Sequence, residues 1–375
     1  MRVLAFGSYD AERHPRVAVL VAGLRAHGVV VDECNEPLRL DTADRVQVLR
    51  QPWRLPLLAA EVLRTWLALA RRARRLPRPD AVLVGYLGHF DVLLARRLFR
   101  GVPVVHDLLV FAADTARDRG AGGVKQALLR RLDAAAIGAS DLVVVDTEEH
   151  RLALPAHRLD DGLVVPVGAP ASWTAPRPAP RGGPLRVVFF GLFTPLQGAP
   201  VIGAALALLA GSGIEVTMVG SGQDLDRTRG LAAGMTAVTW LDWVPPSDLP
   251  VLVTGHDVCL GIFSARGKGT RVVPNKVFQG AAAGCAVVTS DTPPQRRLLG
   301  DAAVLVPPGD PAALAASLRA LADDRDRLLA LRLAAWELAG RAFSPAAVVE
   351  PLLARLQVGP PDRRGPASDR EVPVP

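Results

Sequence analysis

Short apolar runs alternate with helix-like stretches from the first residues of the chain. Residues 3–6 form one such run, 17–27 read as a helix and 29–32 as the next strand, and 81–85, 102–106 and 142–146 repeat the strand pattern. Near-continuous apolar strands separated by helical segments predict a parallel sheet covered on both faces. The first half, residues 1–168, therefore reads as a doubly wound α/β domain. Over residues 169–184 the composition changes to proline, glycine and alanine, which sustains neither a helix nor a sheet interior, and this stretch reads as a semi-flexible interdomain linker. The β/α alternation restarts at 185–190, continues through 215–219, 258–262 and 286–290, and closes at 304–306. The predicted fold class is α/β, with two tandem Rossmann-like, doubly wound domains facing across a cleft, the second over residues 185–345. A helix is predicted over 346–357, and residues 358–375, rich in proline, glycine and charge of both signs, read as a disordered tail.

One predicted helix of the first half, residues 57–75, carries Leu57, Leu58, Val62, Leu63, Trp66, Leu67 and Leu69 ahead of Arg71, Arg72, Arg74 and Arg75. Two readings stand side by side. The apolar face is domain core and the arginines favour the helix C-terminus, or the helix lies on an anionic membrane surface.

At 375 residues, with half of them hydrophobic, the chain is long enough for two separate cores. A net charge of +7 suits polyanionic partners such as nucleotides or anionic lipid headgroups. Nucleic acid is the weakest candidate of this kind and no nucleic-acid partner is expected, because no basic stretch is interleaved with aromatics and no zinc-finger or helix-turn-helix pattern occurs. Cys34, Cys259 and Cys285 are few and widely spaced, which argues for a reducing compartment and against a disulfide framework or a metal site. The first apolar run is too short for a signal peptide and no stretch of eighteen apolar residues follows, so a cytoplasmic location is expected.

The cationic residues are not scattered evenly. The chain has three lysines, Lys125, Lys268 and Lys276, and the last two share one short segment with Arg266 and Arg271, directly ahead of an apolar helix. Cations, Gly267 and Gly269 and a helix N-terminus together suit an anion, so the segment reads as a diphosphate cradle; a solvated basic loop is the alternative. Pro274 and Asn275 can start the helix and Gly284 can end it. In open parallel sheets ligands bind at the carboxyl ends of strands. Two further loops lie at such ends: residues 191–198, flanked by Gly191 and Gly198, and residues 220–222, with Gly220 and Gly222. His106 and Asp107 are adjacent at a strand end, so their side chains point opposite ways. His14 follows the first strand at the cleft edge, where it either touches a ligand or starts the helix at Arg16. Asp224 and Asp226 open a helix, where carboxylates favour the dipole, and read as structural. No zinc-binding or serine-nucleophile motif is present.

In its second half the chain resembles the nucleotide-sugar glycosyltransferases of the two-Rossmann, GT-B type, retaining family 4. The resemblance rests on residues 274–279, Pro-Asn-Lys-Val-Phe-Gln, followed by Gly284 and a Val-Val-Thr-Ser strand, on Gly191 through Gly198, and on residues 306–310, Val-Pro-Pro-Gly-Asp. It extends more loosely to the first half through His14-Pro15-Arg16, Asp114-Thr115, Asp118-Arg119 and Asp146-Thr147. It implies a sugar donor bound to the second domain as a nucleoside diphosphate, no metal and no cofactor beyond that donor. It further implies transfer with retention to an acceptor sugar, lipid-linked sugar or small molecule, in surface polysaccharide, glycolipid or glycoconjugate synthesis. Peripheral attachment to the inner membrane face is the alternative to a purely cytoplasmic location.

Carried over by position, Arg266, Lys268, Arg271 and Lys276 are the diphosphate candidates, and Gln279 takes the place of a ribose-binding glutamate. Gly191, Gln197, Gly198 and Gly220 line the donor, the stretch from Trp240 to Val244 lies beside the base, and His106 matches a histidine that contacts the donor sugar. His106, Lys268 and Arg271 are thus the candidates at the reacting centre, with His14 and Asp114 on the acceptor side. Two glutamates usual in the family, eight residues apart, are replaced by Arg271 and Gln279, and cations usual near Leu192 and Gln197 are missing. A sugar-nucleotide epimerase using Asp114 and Asp118, or a silent binding protein of the same fold, are the competing readings.

Overall fold

A computed structural model describes residues 1–9, 15–37, 55–114 and 122–358. His14, the stretch 115–121 with Asp118, and the predicted tail beyond Val358 lie outside the described residues. The first domain contains β1 (Arg2–Gly7), α1 (Arg16–Ala26), β2 (Val30–Asn35), α2 (Leu55–Ala73), β3 (Ala81–Val84), α3 (Asp91–Leu98), β4 (Val104–Asp107), α4 (Gly123–Ala139), β5 (Leu142–Val145), α5 (Glu148–Arg151) and β6 (Gly162–Val164). The second contains β7 (Arg186–Phe190), α6 (Ala199–Leu208), β8 (Glu215–Val219), α7 (Leu225–Leu231), β9 (Val238–Leu241), α8 (Leu249–Thr254), β10 (Val258–Leu260), α9 (Asn275–Ala282), β11 (Ala286–Ser290), α10 (Pro293–Leu299), β12 (Ala303–Val306), α11 (Pro311–Asp323) and α12 (Arg325–Leu338). After a π-helical turn at Ala339–Phe343 the chain closes with α13 (Pro345–Val358).

Each domain is built on a six-stranded sheet, in order β2-β1-β3-β4-β5-β6 and β12-β11-β10-β7-β8-β9. All strand pairs are parallel. The alternation of side chains along a strand sends each apolar run to two cores at once. In β1, Val3 and Ala5 join Val17, Leu20 and Leu24 of α1, while Leu4 and Phe6 join Leu69 of α2 and Val92 of α3. In β7, Val187 and Phe189 pack with Ile202 and Leu206 of α6, whereas Val188 and Phe190 pack with Val277, Phe278 and Ala281 of α9. Covering on both faces explains why β3, β5 and β11 are buried along their whole length.

The last helix returns to the first domain. Val348, Val349 and Leu352 of α13 are buried in the same core as α1, and the backbones meet closely because Gly23 has no side chain: a Cβ there would fall 2.0 Å from the Pro345 carbonyl oxygen. The predicted helix at 346–357 is therefore present, one residue longer at each end, and completes the domain that began the chain.

The proline-rich stretch 169–184 differs from the semi-flexible linker expected of its composition. It is tied along the second domain, with Ala175 N donating to Ala282 O at 3.0 Å. Trp336 Nε1 donates to Ala175 O and Arg332 Nη1 to Ala179 O, both at 2.9 Å. Trp173 is buried and stacked on Phe190, ring centroids 5.4 Å apart. A segment without its own ladder satisfies its backbone through a neighbour's side chains. The crossing itself is short: Gly168 adopts φ +76°, and Ala169 N donates to Phe343 O at 2.9 Å, so the outgoing and returning chains run side by side.

In the second sheet β7 and β10 are neighbours whose following strands leave on opposite sides. Such a switch point opens a crevice at the carboxyl ends, and the loops that follow β7 and β10 are residues 191–198 and the cationic segment.

Candidate functional site

Four glycines bring the loops at the switch point into contact. Gly191 has φ +130° and Gly220 φ +125°, and a Cβ on Gly220 would sit 2.0 Å from Gly191 O. Gly198, in the left-handed region at φ +65°, backs onto the third loop, where a Cβ would lie 2.5 Å from Ser264 N. Gly269 closes against Ser264 and Leu196 from the other side. The three loops singled out in the sequence therefore form one floor.

Lys276 lies beneath that floor, in the first turn of α9. It is only 4 % exposed. Its Nζ donates to Gln197 Oε1 at 2.6 Å and stands 3.7 Å from the centroid of the Phe189 ring. A Cβ on Gly191 would come within 3.3 Å of the ammonium, so the missing side chain leaves it against the loop backbone. Burial lowers its pKa from 10.5 to about 7. Helix α9 begins after Pro274 in an extended conformation, with no side chain capping its first N–H groups. Gln279, one turn further on, is nearly buried. Gln197, near which the resemblance led us to expect a cation, thus accepts from a cation carried by α9.

The other candidates of the cradle are not gathered around Lys276. Residues 267–270 form a short 3₁₀ turn; Arg266 is exposed and Lys268 half-buried. Arg271 turns to the opposite domain, where its Nη2 donates to Asp114 Oδ2 at 3.0 Å and its carbonyl oxygen accepts from Thr147 Oγ1 at 2.9 Å. Arg297 adds a second tie across the cleft, with both terminal nitrogens on Glu149 at 2.9 and 3.2 Å.

His106 departs from its expected place beside a donor sugar. It is 0 % exposed, neither ring nitrogen has a partner among the described residues, and burial followed by the nearby His89 pushes its pKa well below 6.5. The two rings meet edge to face at 5.6 Å. His89 Nε2 in turn lies 3.0 Å from Asp133 Oδ1, and that carboxylate accepts from the backbone N–H groups of Ala112 and Ala113 at 2.9 and 3.0 Å. Asp107 points the other way, as the strand alternation requires, onto the buried guanidinium of Arg16 at 3.1 Å. Arg16, read as a helix start, is thus a buried partner whose Nη2 also donates to Val165 O at 3.0 Å.

Trp240 also differs from expectation. Its ring faces inward, half-buried, 6.4 Å from Phe193, with the Arg229 guanidinium 5.3 Å over its outer face. Trp243, in the loop beyond β9 and within the same expected stretch, is 70 % exposed. Asp224 and Asp226 lie at the start of α7, as expected of structural carboxylates. Among the described residues no cluster of His, Cys, Asp or Glu could hold a metal ion, and no helix is long and apolar enough to cross a membrane.

Residues 184–324 match the family model of the group 1 glycosyl transferases. Solved structures match over almost the whole length of the chain. A sucrose-phosphate synthase from Thermosynechococcus elongatus is 16% identical over 96% of both chains, with a TM-score of 0.68. HepE from Anabaena, in complex with UDP and glucose, is 15% identical over 96% of this chain and 100% of its own, with a TM-score of 0.69. An α,α-trehalose-phosphate synthase (UDP-forming) from Burkholderia vietnamiensis is 15% identical over 95% and 96%, with a TM-score of 0.65. At these identities the likeness establishes the fold. No curated protein matches the sequence.

Proposed function

We propose that this chain, a GT-B protein whose second domain carries the group 1 glycosyltransferase region, transfers a sugar from a nucleoside diphosphate donor to an acceptor hydroxyl with retention of configuration. The observation that carries the reading is Lys276: a buried cation at the N-terminus of α9, under the glycine floor of the switch-point crevice. A cation fixed by Gln197 and Phe189 needs no reorganisation as negative charge develops on a departing diphosphate. In the transfer, the bond from the anomeric carbon to the diphosphate oxygen breaks and a bond to the acceptor oxygen forms on the same face. The acceptor proton goes to the leaving diphosphate oxygen, so no side-chain nucleophile or further cofactor is required. The exposure of Trp243, in the stretch expected beside the base, supports a role for its ring in stacking on the base. Of the competing readings, the epimerase needs a carboxylate poised over the donor, and Asp114 is instead held by Arg271.

Incubating the protein with UDP-, GDP- and ADP-sugars and a panel of sugar acceptors should release nucleoside diphosphate together with a glycosylated product. Lys276→Met should abolish both. Release of nucleotide at the wild-type rate by that variant would refute the assignment.

The second part of the reading concerns the acceptor. Helix α2 buries Leu69 and Ala73 in the first-domain core, which satisfies the core reading, yet Leu57, Leu63 and Leu67 remain 70 %, 57 % and 47 % exposed above Arg71 and Arg72. Apolar residues bordered by arginines fit the boundary of an anionic bilayer, and a lipid-linked acceptor would be met there, in glycolipid or surface polysaccharide synthesis. Sedimentation with vesicles containing anionic lipid should carry the protein down, and Leu63→Glu/Leu67→Glu should leave it in the supernatant. Equal sedimentation of both proteins would end this part of the proposal.

A further inference from the structure

We propose that Arg271 is a positioning residue that couples the donor loop to the acceptor-side domain through Asp114 and Thr147, rather than a direct ligand of the diphosphate. The inference rests on the glycosyltransferase reading and deepens it. Arg271 closes the 3₁₀ turn of the cationic segment, its N donating to Lys268 O at 3.0 Å, and stands between that turn and α9. From there it engages two separate segments of the other domain. Its guanidinium meets Asp114, in the helical residues 112–114 beyond β4; its carbonyl meets the Thr147 hydroxyl, which follows β5.

Neither contact is made to a loose partner. Thr147 is the cap of α5, and its Oγ1 also accepts from His150 N at 3.3 Å, so the hydroxyl is oriented from both sides. Asp114 follows directly on Ala112 and Ala113, whose N–H groups are held by the buried carboxylate of Asp133. The pair itself is partly buried, with side-chain exposures of 27% and 23%. By contrast the Arg297–Glu149 tie joins only side chains, and its arginine is 54% exposed.

A guanidinium neutralised by a carboxylate at 3.0 Å presents little net charge to a diphosphate, and a backbone carbonyl in the same residue presents none. What Arg271 supplies is geometry. Both contacts require the two domains in this arrangement, so the loop that sees the donor and the segments that shape the acceptor side are stabilised together, and such coupling acts in both directions.

The test compares Arg271→Ala, Asp114→Ala and the double variant, with Lys276→Met as a separate control. UDP affinity is read by calorimetry, turnover with the best donor by acceptor-dependent kcat and KM, and domain separation in the ligand-free protein by small-angle scattering. The two single variants should each lower kcat/KM for the acceptor roughly tenfold and open the protein to the same degree, while UDP affinity changes less than about threefold. The double variant should be no worse than either single one, the non-additivity expected of two halves of one contact. The swapped pair, Arg271→Asp with Asp114→Arg, should recover part of the lost acceptor kcat/KM. Loss of UDP affinity in Arg271→Ala but not in Asp114→Ala would make Arg271 a plain diphosphate ligand and overturn the proposal. So would unchanged scattering in both single variants, a readout that requires no turnover. An unaffected UDP affinity in Lys276→Met, by contrast, would strike at the parent reading and leave these comparisons standing.

Discussion

Raising the pH from 7 to 9 should weaken nucleoside diphosphate binding, and Lys276 sets the size of the effect. Burial lowers this ammonium from 10.5 to about 7 in the unliganded protein. One unit above that value only about a tenth of the sites carry the charge, and each unit corresponds to roughly 1.4 kcal/mol between the two protonation states. A diphosphate against the ammonium favours the charged form and raises its pKa, so at pH 8 binding should draw in close to one proton. Above pH 7 a terminal phosphate, with its second pKa at about 6, is already largely ionised. The remaining slope therefore belongs to the protein, and Kd should rise toward tenfold per unit. Calorimetric titration with UDP in two buffers of different ionisation enthalpy counts the proton directly.

The same group also sets a stability trend of defined sign. Its folded-state pKa is below the unfolded one, so between pH 7 and pH 10.5 the unfolded chain binds more protons and the unliganded protein gains stability as pH rises. Below pH 7 the full cost of the buried charge is present. Lys276→Met should flatten both trends. A Kd constant from pH 7 to 9 with no proton uptake, or an unaltered slope in the variant, would refute the assignment of the diphosphate to this ammonium.

Two further outcomes follow from the geometry of the floor. Gly220→Ala forces a side chain onto a residue with φ +125° and onto the Gly191 carbonyl, and should destabilise the protein by about 2 kcal/mol or more in urea unfolding; a change below half of that would show that the floor yields. Trp243→Ala removes an exposed ring and should leave the unfolding midpoint unchanged while lowering UDP affinity by about 1 kcal/mol or more, as expected when a base–aromatic stack is lost. Equal affinity for UDP in the two proteins would remove Trp243 from the base.

Much of the architecture was legible because a doubly wound sheet writes itself in apolar runs. Ten of the twelve described strands, and helix α9 between Pro274 and Gly284, lie where the apolar runs placed them, whereas the edge strands β6 and β9, buried less completely, gave no such run. Periodicity reports that a side chain is buried, not what buries it. Hence α13 was predicted as a helix, but its seat on α1 depends on Gly23, more than three hundred residues earlier, which no local pattern could indicate. The same limit applies to His106, whose strand-end position suggested access to the cleft until His89 closed over it. Arg271 shows the limit most clearly: its charge was read as part of a local cluster, but the partner that uses that charge is Asp114, in the other domain. Trp240 and Trp243, three residues apart, were separable only by the end of β9, and strand ends are the least certain feature of any sequence pattern.

The return of α13 to the first domain has a consequence for synthesis. As the chain emerges in order from its amino terminus, the α1 face that will meet Val348, Val349 and Leu352 waits for those residues until nearly the whole second domain has been made. Domains of a growing chain generally fold in turn, the first one first; here the first cannot finish until the last helix arrives. An apolar surface left open for that interval is a natural target for a chaperone. Ribosome-bound chains ending before Pro345 should therefore hold one folded domain and one waiting for its final piece.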